Sequence, residues 1–335
     1  MGIDNLGDKI MKRKICCTLM ITVACLTIWG CAGNTSDETT SSIFEPQTEA
    51  VDIQNENQKA GGQNTGIGEV AYSDDGSVSI CDETTELDYS KDYTDEIKVA
   101  VERAVAESNS FDEEFAKMEE IEVSITARRS DSESQTEMDI AAGYYFKVWD
   151  CELNNLWNRF SEQADSETKE RVLADQRNWN DMKEEAALEA LGPREQGGSI
   201  YPVLYLDFME NSTKTRCYAI AKELSKINGS AFTMTEKTFD GMYVDNQGTG
   251  SIYGSLVITS GWESGFDAKI SIYRVGELEG SVEENGQGGL AFTSFDDVVK
   301  GAITYGWDGA TFEVTEAGDG AIVNVGEVFE FPFVF

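Results

Sequence analysis

The sequence predicts an α+β multidomain protein, an antiparallel helical domain followed by an all-β antiparallel barrel or sandwich. Two observations carry this reading. Between about residues 93 and 228, apolar residues recur at steps of three and four, the spacing that gathers them on one face of an α-helix. After Asn228-Gly229, short β-branched and aromatic segments alternate with polar residues and are separated by glycine, the period-two pattern of strands. Ahead of both lies an apolar run and then a polar stretch with few large side chains to bury. The chain therefore divides into 1–30, 31–92, 93–228 and 229–335.

Lys12, Arg13 and Lys14 precede an uncharged run from Ile15 to Trp29, short for a bilayer span and suited to a secretory signal. Ile28-Trp29-Gly30-Cys31 reads as a lipobox, the pattern at which bacterial lipoproteins are cleaved and the new terminal cysteine is acylated. Trp29 is bulkier than the small residue usual there, and an uncleaved anchor helix would give nearly the same topology. On the lipobox reading, residues 1–30 are a signal peptide and Cys31 carries the lipid. Two acyl chains anchor stably where one holds only marginally. The protein is then expected on the outer face of a bacterial membrane. Residues 31–92, rich in Ser, Thr, Gln, Asn, Gly and acid, follow as a disordered tether.

Helix is expected from about Tyr93, with Ile97, Val101, Ala104, Val105, Phe111, Phe115, Met118 and Ile121 inward and a break near Asn109-Ser110. Met138, Ala142, Tyr145, Trp149, Leu153, Leu156 and Phe160 then mark a long amphipathic helix. Val172, Gln176, Trp179, Ala186 and Ala190 mark a second, joined near Asp165-Ser166 and stopped by Gly192-Pro193. Such neighbours should pack as an antiparallel hairpin. Ser212 or Thr213 is the expected cap of a third helix running to about Lys226, with Cys217, Ile220, Ala221 and Leu224 inward.

Strands are expected over 232–243, 251–259, 266–274, 277–282, 289–295, 301–305, 310–315 and 321–333. Phe266, Ala268, Ile270 and Ile272 should share one face. So many short strands predict a closed barrel or small sandwich, and closure would remove exposed edges. The architecture is lipocalin-like, and a small apolar ligand or wall component inside it is a second functional reading, with the helices as scaffold. A purely architectural surface protein is a third.

The segment from 135 to 224 is the most specific. Gln135, Glu137 and Met138 precede Tyr144 and Tyr145; then come Asp150, Leu153 and Asn154, next Gln176, Arg177 and Trp179, then Gly197-Gly198-Ser199, and last Thr213 and Arg216. In order and spacing this set resembles the LprI-like lysozyme-inhibitor domain. The resemblance implies a helical protein-binding domain that inhibits lysozyme by steric occlusion of its saccharide cleft. Family members commonly carry cysteines near the helix ends, where Ala141, Ala187 and Glu210 stand here. Those bridges are therefore expected to be missing.

Each motif residue has a structural reading beside the functional one. Asp150 and Asn154 lie one helical turn apart, and Arg177 and Arg216 come from the other two helices, so a polar network tying three helices together is expected, joined by Gln176 and Trp179. Gly197-Gly198-Ser199 with its flanks Glu195, Gln196 and Tyr201 is the candidate partner-binding loop, because paired glycines let backbone donors approach another surface. It also reads as a turn that caps the hairpin.

Charge bounds the partners. The chain carries 26 basic and 62 acidic residues, a net charge of −36. A phosphate backbone would be repelled, so nucleic acid is excluded. A basic lysozyme or another basic envelope protein would be steered toward it, while solubility explains the same charge equally well. The chain contains no histidine, which removes Ser/His/Asp and Cys/His nucleophile systems and His-based zinc sites. No catalytic residue, metal or cofactor is expected. Beyond the signal and Cys31, the cysteines are Cys81, Cys151 and Cys217. Buried thiols or a Cys151–Cys217 pair both fit.

Overall fold

Why the five long helices among the described residues should enclose a common core is clearest from their ends. The computed structural model describes residues 86–335 apart from 234–236, 261–264 and 287. The signal, Cys31, nearly all of the tether and Cys81 lie outside the described residues. Helix α1 (Thr94–Glu107) is followed by α2 (Phe111–Ala127), whose N-cap Ser110 accepts from the Glu113 amide at 3.2 Å. The break is where Asn109-Ser110 marked it. Helix α3 (Gln135–Gln163) opens on a capping box in which Ser134 and Glu137 exchange hydrogen bonds. Helix α4 (Ser166–Leu191) starts from Asp165, which accepts from the amides of Glu167 and Thr168 at 3.0 Å each. A four-residue turn, α5 (Arg194–Gly197), and a 3-10 turn over 198–200 lead into α6 (Tyr201–Asn228), closed by Gly229 in the left-handed region.

Two expectations change. Ser212 and Thr213 do not cap the third helix; they are buried in the middle of α6. Pro202 in its first turn is the true start signal, since proline at that position gives up no hydrogen bond. Helix α3 also packs along α6 rather than chiefly along its sequence neighbour α4. Small side chains such as Thr213, Cys217 and Ala221 let α6 come close, so that the Cys217 thiol donates to the Trp149 carbonyl at 3.5 Å. With α1 and α2 covering its other sides, α3 is the central helix, buried around more of its circumference than one stripe predicts.

The strands are β1 (Gly241–Asp245), β2 (Gly254–Ser260), β3 (Phe266–Ile272), β4 (Gly276–Glu284), β5 (Leu290–Ser294), β6 (Val299–Gly306), β7 (Gly309–Ala317), β8 (Val328–Phe331) and β9 (Phe333–Val334). Each pairs antiparallel with the next up to β8, and β9 returns to β1 through Tyr243↔Val334 and Val244↔Phe333. Pro332 divides the closing strand, because it has no amide to continue the ladder. The result is a nearly closed antiparallel barrel. Ala268, Ile270 and Ile272 face its interior as their alternation required, with Phe266 at the margin. Expected strand at 232–233, 237–240 and 321–327 is instead irregular, while 234–236 lie outside the described residues.

Tyr243, Phe292, Phe312 and Phe331 fill the middle of the barrel, Phe292 and Phe312 meeting edge to face at 5.3 Å. Gly301 leaves room for the Phe312 ring and carries a register shift in β6. On the outside of the same wall, Met242, Val244, Val257 and Phe335 join the helical core. Phe335 stacks on Trp179 of α4 at 6.2 Å and on Phe208 of α6 at 6.5 Å, and Trp307 stacks on Tyr218 at 4.5 Å. One apolar core therefore spans the helices and one wall of the barrel.

Candidate functional site

The turn between α4 and α6 is built by three local choices. Gly192, at φ 75°, and Pro193 end α4, and the Gly192 amide still donates to the Leu188 carbonyl at 2.9 Å. Gly198, at φ 61° and ψ −150°, holds a backbone conformation that other residues adopt only with strain. Tyr201 lies against Gly197, where a side-chain carbon would come within 2.8 Å of the Tyr201 Cβ. The turn thus has a defined shape. Glu195, Gln196, Gly198 and Ser199 are exposed, and Gly197 and Tyr201 are half-buried.

Neighbouring side chains extend this surface. Tyr201 stacks on Tyr205 at 6.5 Å, one helical turn on, and the Tyr205 hydroxyl donates to both Glu184 oxygens at 2.7 and 2.9 Å. Burial raises the Tyr205 hydroxyl pKa, and the Glu184 carboxylate raises it further. Leu188 stands 52% exposed near the end of α4. Tyr205, Glu184 and Leu188 were not foreseen; once Pro202 is read as a first-turn residue, Tyr201 and Tyr205 fall on one face. Two nearby acidic residues of α4 are engaged elsewhere, Glu185 with the Ile252 amide at 3.4 Å and Glu189 with the Ser255 hydroxyl.

The three-helix polar network forms only in part. Arg216 Nε donates to Gln176 Oε1 at 2.6 Å, joining α6 to α4. Asp150 instead pairs with Lys147 of its own helix at 2.9 Å, and exposed Asn154 donates to the Asp150 carbonyl at 2.8 Å. Arg177 is exposed. Leu153, Trp179 and Thr213 are buried, and Lys183 lies 5.7 Å over the Trp179 ring. Helical periodicity says which side of a helix a residue occupies; which other helix lies there is a tertiary outcome.

The buried ionic cluster lies elsewhere. Glu152 of α3 is 0% exposed and Glu114 of α2 is 3% exposed, and both meet Arg159. Burial holds the Glu152 carboxyl well above the usual carboxylate range, and a hydrogen bond and repulsion from Glu114 add to the shift. A second cluster ties the start of the helical region down: Arg129 pairs with Glu133 at 2.5 Å, and Glu133 also accepts from Tyr89. Cys151 and Cys217 are free thiols, and burial pushes the Cys151 thiol up to about 11.

Fold and surface together define an α+β protein whose helices present a shaped, exposed turn while a barrel braces them from one side. Residues 126–220, which contain that turn, match the family described as "Lysozyme inhibitor LprI". No curated protein and no solved structure matches the chain.

Proposed function

We propose that this protein is a surface lipoprotein that binds a lysozyme and blocks its saccharide cleft, with the turn at Glu195, Gln196, Gly197, Gly198, Ser199 and Tyr201 as the inserted element. The observation that carries the reading is the family match over 126–220, since inhibition is what that family's description states. Exposure of Gln196, Gly198 and Ser199 supports the choice of turn, because such a loop offers backbone amides and a hydroxyl to a partner. The net charge of −36 favours encounter with a basic enzyme. Inhibition is by occlusion, with no chemistry performed on the lysozyme. The remaining assignments belong to the same proposal: residues 1–30 as signal, Cys31 as lipid carrier, 31–92 as tether, 93–228 as the binding domain and 229–335 as its brace.

The test uses the full chain in detergent micelles, several lysozymes and a soluble oligosaccharide substrate. Competitive inhibition that weakens with salt is expected. Full turnover at saturating protein, together with no binding at low salt, would remove the proposed activity. Radiolabelled fatty acid should enter the wild-type chain in cells and be absent from Cys31→Ala.

A further inference from the structure

Where α4, α6 and the tight β6–β7 turn meet, a small pocket of about 110 Å³ is walled by Val172, Ile220 and Trp307. Four cations converge on it, Arg171, Arg216, Lys222 and Lys226, in a chain whose net charge is −36. Three carboxylates share the lining. Glu223 is taken by Arg171 at 2.5 Å and Lys226 at 2.6 Å, and Asp308 by Lys222 at 2.6 Å. Asp175 acts on Arg216 only through space.

Arg216 is 9% exposed, and its Nε donates to Gln176 at 2.6 Å. Its Nη2 is buried and donates to no atom among the described residues. An unanswered guanidinium donor away from water is costly, and the fork geometry of arginine matches a carboxylate or phosphate. The space is ample for one small oxyanion, since a single water needs only about 10 to 15 Å³. Burial lowers the Arg216 pKa to about 10, which still leaves it charged at neutral pH.

We propose that this pocket seats a small oxyanion, the carboxylate or phosphate group of a ligand, with Arg216 as the buried anchor, Arg171 and Lys222 as the field around it and Trp307 as its apolar wall. The seat is independent of the lysozyme reading and joins the helices to the barrel.

The test is calorimetric titration of the full chain in detergent with inorganic phosphate and with acetate, chloride at matched ionic strength serving as reference. Saturable binding above the chloride reference is expected, accompanied by a change in tryptophan emission that Trp307→Phe removes. Arg216→Gln should raise the dissociation constant about tenfold or more, the loss of a charge-assisted bond. Lys222→Gln should weaken binding by about twofold to threefold as a field effect, and Asp175→Asn should tighten it by removing repulsion. The last two sit on partly exposed residues and keep the proposal testable if Arg216→Gln fails to fold. Binding of phosphate alone would point to phosphorylated ligands; binding of both, to carboxylates as well. No saturable heat beyond chloride, or anion binding unchanged by Arg216→Gln, or weakened by Asp175→Asn, would overturn the seat.

Discussion

Among the described residues, the helices bury charge and the barrel buries almost none. Glu114, Arg128, Glu152, Glu210 and Arg216 are enclosed in the helical region, whereas the buried polar residues of the strand region are Asn246, Ser255 and Ser294. Buried side-chain atoms without a partner among the described residues fall between Glu152 and Arg216, all inside the segment that matches the inhibitor family. The barrel interior is instead mainly aromatic and aliphatic, with Ser294 on the same face of its strand as Leu290 and Phe292. Apolar packing thus runs through both regions, whereas the costly burial of charge falls in the helices. The shared core at Phe335 and Trp307 lets the first support the second.

The largest expected effects test that sharing. Phe292→Ala in the barrel and Trp149→Ala in the helices should each cost about 3 to 5 kcal/mol, the range for a buried aromatic. Circular dichroism and tryptophan fluorescence should report one common unfolding transition for both variants. Two separate transitions would break the picture of a shared core.

Glu152→Gln should act in the opposite direction. A carboxyl whose pKa is raised by folding contributes stability that is fully present below its unfolded value and is lost as pH rises through the folded value. Removing that titration should raise the melting temperature at pH 8 by a few degrees, about 1 kcal/mol or more, and leave it nearly unchanged at pH 4. An equal shift at both pH values would assign the effect to packing instead.

Smaller effects sharpen the contrast between regions. Gly198→Ala should lower stability by about 1 kcal/mol through backbone strain, while reducing lysozyme inhibition far more than stability; unchanged inhibition would exclude the turn as the inserted element. Ser134→Ala, which removes the cap of α3, should cost about 1 kcal/mol by denaturant titration. Thr304→Ala, which removes the exposed cross-strand hydroxyl contact to Thr311 at 2.6 Å, should cost less, about 0.2 to 1 kcal/mol. A larger loss at Thr304 than at Ser134 would reverse the ranking.

Much of the fold was legible because it is written in short-range patterns. The Asn109-Ser110 break, the junction near Asp165-Ser166, the Gly192-Pro193 stop and most strand positions follow from spacing and from residues with special backbone preferences. The candidate turn was legible for the same reason, through its paired glycines. Tyr205 and Glu184 were missed because Pro202 was not read as a helix start, which left the first turns of α6 unassigned. The predicted network of Asp150, Asn154, Arg177 and Arg216 failed for a different reason: only Gln176 and Arg216 were brought into contact, since the packing of α3 along α6 sets which polar faces meet.

Sequence alone determined the helical and strand periods, the turn at Gly197-Gly198-Ser199, the acidic balance and the absence of histidine, since each depends on a residue and its near neighbours. Tertiary structure decided that α3 would lie at the centre, that Glu152 would be sealed beside Glu114 and Arg159, and that Phe335 would cover Trp179. The Glu114–Arg159 and Trp179–Phe335 contacts join residues 45 and 156 positions apart, and their selection depends on how all the apolar faces can be buried at once.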